Sequence, residues 1–258
     1  MTENRIADLG HLSGQMQGWW RLDEGNGRLA SDSSGHGRTA TCVGDVAWTD
    51  GPGSGGAVRL DGATTWFGTS EPVVRTDQAF SVAAWVRLDS ATIDRVGGLP
   101  TGLFARTAVS QDGPSHSPFY LGIRALDERQ TDGSTKPVTR WTFTVAPVDG
   151  STTGKLEWRH ARSAHPVDAS AMDTWVLLVG VCDVVARTTR LHLPGVGDGG
   201  TDRVGEEWVF WPAQGGLQLG QARYLDRVVD HWPGSVSDVR VYSGALTAED
   251  AANLYRTG

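Results

Sequence analysis

A glycine-rich acidic loop at Glu24–Gly37 has the residue types of a cation site. Calcium takes about six to eight oxygen ligands, and a loop rich in glycine can fold its backbone around the ion. Asp32 would supply side-chain oxygens, Ser34–His36 would supply backbone carbonyls, and Glu24 would either complete the shell or brace the loop. In the alternative interpretation, the Asp32 carboxylate accepts the amides that follow it in a hydrogen-bonded turn. The loop predicts a structural Ca²⁺ site and leaves the metal-free turn open.

Aromatic side chains are the second candidate for chemistry, because the chain has 11 tryptophans. Aromatic rings bind the C–H faces of sugars, while a few polar groups fix the hydroxyls. Five tryptophans lie in strand or strand-edge motifs, where a core role is favoured: Trp20, Trp48, Trp85, Trp175 and Trp232. The predicted lining of a binding cleft is Trp66, Arg106, His116, Tyr120, Arg140, Trp141 and Arg223. For each of these, a structural aromatic or a solvated arginine is the alternative.

The sequence motifs that could indicate catalysis are either absent or lack the structural context that the chemistry requires. The chain has no Gly-x-Ser-x-Gly sequence, which is the nucleophile motif of many hydrolases. Gly25–Ala30 matches a dinucleotide fingerprint, but no βαβ unit follows it. His160 and His165 are five residues apart, unlike the i, i+4 helical pair of zinc enzymes, and are expected at the surface. No reaction is predicted.

Charge and composition restrict the partners and the compartment. The net charge of −7 disfavours nucleic acid. No run approaches about 18 consecutive apolar residues, so no membrane insertion is expected. The N-terminus lacks the apolar core of a signal peptide, which predicts a cytoplasmic or a trimmed chain. The two cysteines, Cys42 and Cys182, would form either one bridge or two buried thiols.

Short runs with period-two alternation recur along the chain, separated by Gly, Pro, Asp and Ser, as in antiparallel β proteins. The clearest predicted strands are Gln17–Leu22, Ala57–Leu60, Phe80–Leu88, Phe119–Arg124, Arg140–Ala146, Thr174–Cys182, Arg187–Leu193, Leu217–Gly220 and Ser235–Tyr242. Phe80–Leu88 alternates like a half-buried strand. Thr174–Cys182 is apolar almost throughout, which predicts a strand covered on both faces. Thr247–Arg256 predicts one short C-terminal helix, with a cap and one apolar stripe.

The chain has no linker long enough to divide it. Residues 1–16 are expected to be a linker or a disordered segment, and residues 17–258 one domain. The segment 90–102 is predicted to be a surface excursion. Regular strands with glycine-rich turns predict an all-β fold, a two-sheet antiparallel jelly-roll sandwich with one short C-terminal helix.

Eight motifs occur in an order typical of one family. They are GWWRLDEGNGRLASDSSGHGRTAT at 18–41, AVRLDG at 57–62, FSVAAWVRL at 80–88, VSQDGPSHSPFYLGI at 109–123, RWTFTV at 140–145, WVLLVGVCDVVARTTRLHL at 175–193, LQLGQARY at 217–224 and WPGSVSDVRVYSGALTAEDAANLY at 232–255. Each is weak alone, but together they span nearly all of residues 18–256. The chain resembles the laminin G-like (concanavalin A-like) jelly-roll domains, of the kind found in secreted actinobacterial proteins.

The resemblance implies a non-catalytic sandwich, often stabilised by calcium, that binds carbohydrate or glycoprotein outside the cell. Neighbouring domains of a longer chain would be further partners. In this fold the last strand brings Asp238 beside the loop, which adds it to the calcium ligands. Relatives usually carry two aspartates there, whereas this chain has Ser237 before Asp238.

Two alternatives remain open. The first is a glycoside hydrolase, or another enzyme, that uses the concave face of the same fold. Sugar-cleaving relatives carry Glu-x-Asp-x-(x)-Glu on one strand, and this chain has no such run, although carboxylates distant in sequence could still meet. The second is a stand-alone intracellular domain recruited to another task.

Overall fold

The computed structural model of the protein describes residues 12–102, 104–150, 157–197 and 199–258. Within these residues the strands are β1 (Gln15–Trp20), β2 (Leu29–Ala30), β3 (Ala40–Val43), β4 (Ala47–Asp50), β5 (Gly56–Asp61), β6 (Trp66–Gly68), β7 (Phe80–Leu88), β8 (Ala105–Gln111), β9 (Phe119–Arg129), β10 (Thr135–Val145), β11 (Arg159–Arg162), β12 (Val176–Asp183), β13 (Thr188–His192), β14 (Thr201–Arg203), β15 (Leu217–Leu219), β16 (Ala222–Tyr224), β17 (Arg227–Val229) and β18 (Pro233–Ser243). The helices are α1 (Ser90–Arg95) and α2 (Ala248–Thr257), and a 3-10 turn spans Ala169–Ala171.

The strands form two antiparallel sheets of eight strands each and one separate hairpin. The first sheet has the order β14-β13-β12-β7-β18-β5-β4, with β1 also paired to β18. The second sheet has the order β11-β10-β9-β8-β15-β6-β3-β2, and β16 pairs with β17 in the hairpin. The all-β, two-sheet antiparallel sandwich predicted from the sequence is confirmed.

The hydrophobic core lies between the inner faces of the two sheets, because alternate residues of each strand point inward. Phe80 of the first sheet packs against Phe119 of the second, with 5.1 Å between ring centroids. It also packs against Phe143 at 6.1 Å. Trp20 and Trp232, both predicted to be structural, are fully buried.

The C-terminal helix covers the outer face of the first sheet. Thr247 caps α2, since its side chain accepts the Asp250 amide while the Asp250 carboxylate accepts the Thr247 amide. The apolar side of α2 packs on Trp85 of β7 and Val179 of β12. The prediction that β12 is covered on both faces is confirmed. The prediction that β7 is half-buried is wrong, because the helix buries its second face.

Two local boundaries differ from the predictions. The segment 90–102 begins with α1, which Asp89 caps by accepting the Thr92 amide at 2.7 Å, and Ile93 of this helix is buried. Strand β1 begins at Gln15, within the segment 1–16 that was predicted to be a linker. Residues 1–11 of that segment lie outside the described part of the chain.

Both cysteines are buried free thiols, which is one of the two alternatives left open by the sequence. Burial raises the pKa of the Cys182 thiol to about 12, because the thiolate would be desolvated in the core. Cys42 is buried in the same core cluster. Neither helix in the described residues has the length and apolar composition needed to cross a membrane.

Candidate functional site

The outer face of the second sheet carries polar and aromatic side chains where β9, β10 and β11 lie side by side. Alternate residues of β9 pack in the core, which leaves Tyr120, Gly122 and Arg124 on the outer face. Strand pairing places Arg140 of β10 opposite Arg124. The same pairing sets Tyr120, a threonine of β10 and His160 of β11 in one row across the sheet. These three strands form the floor of an open surface.

Gly122 lies where β8 and β9 pair irregularly. The register of β8 shifts between Thr107 and Val109. A Cβ atom on Gly122 would lie 2.1 Å from the carbonyl oxygen of Arg106. The backbone of β8 therefore approaches β9 more closely than a side chain at position 122 would allow. The outer face stays open between Tyr120 and Arg124, which lie on either side of Gly122 along that face.

Four rings form what we call the aromatic corner: Tyr120, Trp158, Tyr224 and His116. The ring of Trp158 lies 5.4 Å from Tyr120, 5.9 Å from Tyr224 and 5.7 Å from His116, centroid to centroid. Tyr224 is 44% exposed, whereas Tyr120 and His116 are buried. Trp158 and Tyr224 thus present ring surface to solvent on a base of buried rings.

Hydrogen bonds hold the buried ring of His116 in place within the aromatic corner. The carboxylate of Asp149 accepts the amides of Ser115 (2.8 Å) and His116 (2.7 Å). The ring Nδ1 of His116 accepts the amide of Gly150 at 2.8 Å. Burial lowers the pKa of His116, which keeps the ring neutral and able to accept this bond. His116, predicted to bind ligand, therefore supports the more exposed rings of the aromatic corner from its buried position.

The hairpin β16–β17 lies beside the aromatic corner and borders the open surface. The hydroxyl of Tyr120 donates to the carbonyl of Arg223 at 2.7 Å, and the amide of Ser117 donates to the same carbonyl at 3.0 Å. The two residues at the hairpin tip, Leu225 and Asp226, have φ values of 49° and 61°. Left-handed backbone at both tip positions is typical of the tight turn that fits twisted strands, but a branched residue there is strained. Arg223, predicted to bind ligand, fixes this hairpin through its backbone.

Two charged side chains lie beside the corner. The guanidinium of Arg124 lies over Tyr120 and Trp158, with its central carbon 5.8 Å and 5.9 Å from the ring centroids. Asp230 directly follows β17 and has a φ of 59°. Burial raises the pKa of its carboxyl group, although the charges of Arg124 and Arg106 oppose this shift. A raised pKa of this kind marks a carboxylate that has left water without gaining strong partners.

The corner and these charges border a cleft of about 470 Å³ that we call the first cleft. Its lining residues are Phe104, Ala105, Tyr120, Arg124, Ala125, Leu126, Asp127, Trp158, His160, Tyr224, Val229 and Asp230. A second cleft, of about 690 Å³, is lined by Leu126, Asp127, Arg140, His160, Arg162, Ser163, Ala164, Gly199, Gly200, Thr201 and Asp202. Because the two share Leu126, Asp127 and His160, they form one groove along the outer face.

His160 stands where the two clefts meet. Its Nδ1 is hydrogen-bonded to Thr144 Oγ1 at 2.9 Å, and its amide donates to the Asp202 carboxylate at 3.0 Å. Burial, together with the positive charge of Arg124, lowers the pKa of His160 to about 4. The expectation of a surface histidine is therefore corrected: the ring is neutral, partly buried and part of the groove.

Arg140, a predicted ligand residue, lines the second cleft with its donors already engaged. Its Nη2 donates to Glu128 Oε2 at 2.7 Å, and its Nη1 donates to the carbonyls of Ser163 (3.1 Å) and Ala164 (2.7 Å). Arg162 also contacts Glu128, at 3.1 Å. The Glu128 pKa is lowered, chiefly by the hydrogen bond from Arg140. Arg140 therefore ties strands together and forms a wall of the groove.

Three other predicted ligand residues lie elsewhere. Trp141 is 3% exposed and packs in the core, with its ring 6.3 Å from Trp232, so this prediction is corrected. Trp66 of β6 packs its ring 5.6 Å from His231. Arg106 of β8 is partly buried, and its Nε lacks a hydrogen-bond partner among the described residues. Neither Trp66 nor Arg106 belongs to the residues that line the groove.

The predicted calcium residues meet where the first loop approaches the last strand. Trp19 connects them, because its amide donates to Asp32 Oδ1 at 3.0 Å and its indole Nε1 donates to Asp238 Oδ1 at 2.6 Å. Glu24 braces the loop by accepting the Ser31 amide at 2.7 Å, and its other oxygen is buried without a partner among the described residues. Trp19 thus links the loop that carries Asp32 to the strand that carries Asp238.

The oxygens of Asp32 are largely engaged. Oδ1 also accepts the amide of Ser34, and Oδ2 accepts the amide of Arg38, each at 2.9 Å. Burial raises the pKa of Asp32, but these hydrogen bonds outweigh it and leave the pKa below its usual value. Ser34 Oγ forms a hydrogen bond with the ring Nδ1 of His36 at 3.1 Å. This is the hydrogen-bonded turn that the sequence left as the alternative.

The carboxylate of Asp238 is also engaged, because it pairs with a neighbouring arginine. Arg240, 5% exposed, donates from Nε and Nη2 to its two oxygens at 2.9 Å and 2.7 Å. In the described part of the chain, no three His, Cys, Asp or Glu side chains are grouped to hold a metal ion. The calcium site stays a prediction.

The sequence missed the most informative groove residues. Arg124 lies four residues beyond Tyr120 on the same strand face, so period-two alternation could have found it. Trp158 lies in none of the predicted strands, so no alternation pattern assigns its side chain to a face of the sheet. Asp230 lies outside every predicted strand, and only the hairpin before it brings it to the cleft.

A family model described as the Concanavalin A-like lectin/glucanases superfamily matches residues 53–252. No curated protein matches the chain.

Solved structures with the same fold cover nearly the whole chain. Domain 4 of AbnA, an extracellular GH43 arabinanase from Geobacillus stearothermophilus solved in complex with arabinotriose, is 21% identical with a TM-score of 0.59, over 94% of this chain and 98% of that one. Botulinum neurotoxin type C, whose cell entry depends on interaction with two ganglioside molecules, is 11% identical with a TM-score of 0.56, over 94% and 51%. The binding domain of botulinum neurotoxin DC in complex with rat synaptotagmin II is 11% identical with a TM-score of 0.57, over 94% and 51%. The chain therefore spans about half the length of the neurotoxin chains.

Proposed function

Because the chain belongs to the Concanavalin A-like lectin/glucanases superfamily, we propose that it is a non-catalytic carbohydrate-binding module. The ligand lies in the groove on the outer face of the second sheet. The observation that carries this proposal is the aromatic corner: Trp158 and Tyr224 present ring surface directly beside the first cleft. Sugars bind through such rings because their C–H faces are apolar while their edges need polar partners.

The charges of the groove favour a neutral oligosaccharide. The lining carries three arginines and three aspartates: Arg124, Arg140, Arg162, Asp127, Asp202 and Asp230. Two of the arginines are paired with Glu128, which lowers their attraction for an anion. With Glu128 included, the groove has three positive and four negative side chains, and this small negative excess disfavours an acidic ligand without creating a strong field for a basic one.

The similar structures support this ligand class and an extracellular location. The arabinanase domain was solved with arabinotriose, and the enzyme that contains it is extracellular. Cell entry of neurotoxin C depends on two ganglioside molecules, and the binding domain of neurotoxin DC was solved with rat synaptotagmin II, although this chain matches only about half of each of those chains. We therefore expect the partner to be a free glycan or a glycoprotein outside the cell, with neighbouring domains attached where the chain is part of a longer protein.

A glycan array followed by calorimetry with arabinotriose and the best array ligand tests the proposal. Wild-type protein should retain a neutral oligosaccharide, and Trp158→Ala should weaken binding by at least about tenfold, or 1.4 kcal/mol. Trp175→Ala is the control, because Trp175 packs beneath Arg87 on the first sheet. Absence of glycan binding, or equal binding by Trp158→Ala, would contradict the proposal. Release of reducing sugar would favour the hydrolase alternative instead.

A further inference from the structure

The first cleft contains two opposite charges that do not pair with each other. Arg124 rises from the floor on β9, and Asp230 stands at the end of the hairpin, and both line the cleft. The ion pairs among the described residues, with nitrogen and oxygen within 4.0 Å, include neither of them. Their side chains also make no hydrogen bond to a described residue, whereas Arg140 nearby makes several.

This arrangement is costly for the folded protein. Each of these charges loses part of its hydration, and the attraction between Asp230 and the two arginines Arg124 and Arg106 offsets only part of that loss. Asp230 is also held in a left-handed conformation, at a φ of 59°, by the amide of Thr107, which donates to its carbonyl at 2.7 Å. Strain and unpaired polar groups gathered at one place are typical of a binding site that a ligand completes.

From this geometry we infer that Arg124 and Asp230 together bind one pair of neighbouring sugar hydroxyl groups and so determine which sugars the cleft accepts. This inference rests on the proposed function and assigns the polar contacts of its site. Guanidinium offers only donors and carboxylate only acceptors, whereas a hydroxyl group is both. One hydroxyl group donates a hydrogen bond to Asp230 and accepts one from Arg124. The neighbouring hydroxyl group accepts a hydrogen bond from a second N–H of the same guanidinium.

The aromatic corner fixes the orientation that this contact needs. Arg124 lies over the ring of Trp158. A sugar whose C–H face covers the exposed part of that ring turns its hydroxyl edge toward the guanidinium. Hydroxyl configuration then decides binding, because a sugar with a reversed or missing hydroxyl leaves Arg124 or Asp230 unpaired beneath it.

Two variants test the assignment with little change in shape. Asp230→Asn keeps the backbone, since asparagine tolerates left-handed φ values, but it replaces one acceptor with a donor. Arg124→Met keeps an unbranched chain over the rings and removes all donors. The matched controls lie outside the groove. Asp173→Asn changes another left-handed aspartate, at a φ of 58°. Arg87→Met changes another arginine above a tryptophan, 5.1 Å from the Trp175 centroid.

Each protein is measured on an array of neutral oligosaccharides that includes epimers and monodeoxy analogues. Asp230→Asn and Arg124→Met should weaken the best wild-type ligand by about tenfold or more. They should also erase its preference over the analogue lacking the bound hydroxyl. Trp158→Ala should weaken all ligands, as the proposed function requires. If the wild type binds glycans and both groove variants keep its ligand order, this inference is wrong while the proposed function stands. If the wild type binds no glycan, both fail.

Discussion

The guanidinium of Arg124 lies over the ring of Trp158, with 5.9 Å between its central carbon and the ring centroid. A cation above an aromatic face is attracted by the ring quadrupole, which holds both side chains in one orientation. The floor of β9 and the chain segment just before β11 are thereby joined into one surface. The apolar ring of Trp158 and the charged group of Arg124 therefore form a single binding surface for a ligand.

Affinity should rise with the number of sugar units, because the two clefts are continuous. Ala164 is exposed in the second cleft and contributes only its carbonyl to the bond from Arg140. Ala164→Trp should therefore leave the affinity for a short ligand unchanged and remove the gain of longer ones, by about threefold to tenfold. Calorimetry over a length series measures this, with exposed Ala169→Trp as the control. Equal weakening of short and long ligands would show that the second cleft is not part of the site.

Asp32→Ala should destabilise the fold in the absence of metal. The variant removes the acceptor of three amides, those of Trp19, Ser34 and Arg38, at a cost of about 1–3 kcal/mol. Urea unfolding in chelator and in calcium chloride measures the loss. Asp23→Ala is the control, because its ion pair with Arg21 is at the surface. An equal loss in both buffers would favour the hydrogen-bonded turn alone, whereas a larger loss in calcium chloride would identify a metal site.

The lowered pKa of Asp32 gives this effect a pH dependence. Because the folded pKa lies below the unfolded one, the stabilisation is present at pH values above the unfolded pKa of about 3.9. It is lost as the pH falls through the folded pKa. The stability difference between wild type and Asp32→Ala should therefore shrink in acid.

His160 should make the protein less stable between about pH 6.5 and pH 4. Its pKa is about 4 in the fold and about 6.5 in the unfolded chain. The unfolded state therefore takes up a proton in this window while the folded state does not, which costs about 1–3 kcal/mol. Urea unfolding at a series of pH values should show a smaller acid loss in His160→Gln than in the wild type. His165→Gln, an exposed position, should behave like the wild type.

Gly122→Ala should disturb the floor of the groove. A Cβ atom there would lie 2.1 Å from the backbone oxygen of Arg106, which cannot move without shifting β8. Overpacking of this kind costs about 1–3 kcal/mol, or roughly 2–10 °C in melting temperature. Gly55→Ala is the control, because the nearest atom is 3.3 Å away. A melting temperature equal to that of the control would mean that β8 yields freely.

Alternation along single strands predicted the fold well, and it failed where another element decides the outcome. Phe80–Leu88 was predicted with its observed bounds. Its second face is covered by α2, and a pattern within one strand cannot report what packs on it. Of the three-residue strands, Leu217–Leu219 was predicted, whereas Trp66–Gly68 and Ala222–Tyr224 were missed, because so short a run gives only weak evidence of a period.

The site was predictable only in part, for a similar reason. Tyr120 was found because it lies in a recognisable motif, and Arg140 because it begins one. The aromatic corner depends on contacts between Tyr120, Trp158 and Tyr224, which are far apart in the sequence. Only the pairing of strands and the position of the hairpin bring these rings together.

The packing of α2 on the first sheet gives the molecule a front and a back. Gly258, the last residue, lies against Trp85 on that covered side. A solid support or a fusion partner joined through the C-terminus would be attached behind the sandwich. The open sheet would then face outward, which is the orientation that a surface coated with immobilised protein needs to capture glycans.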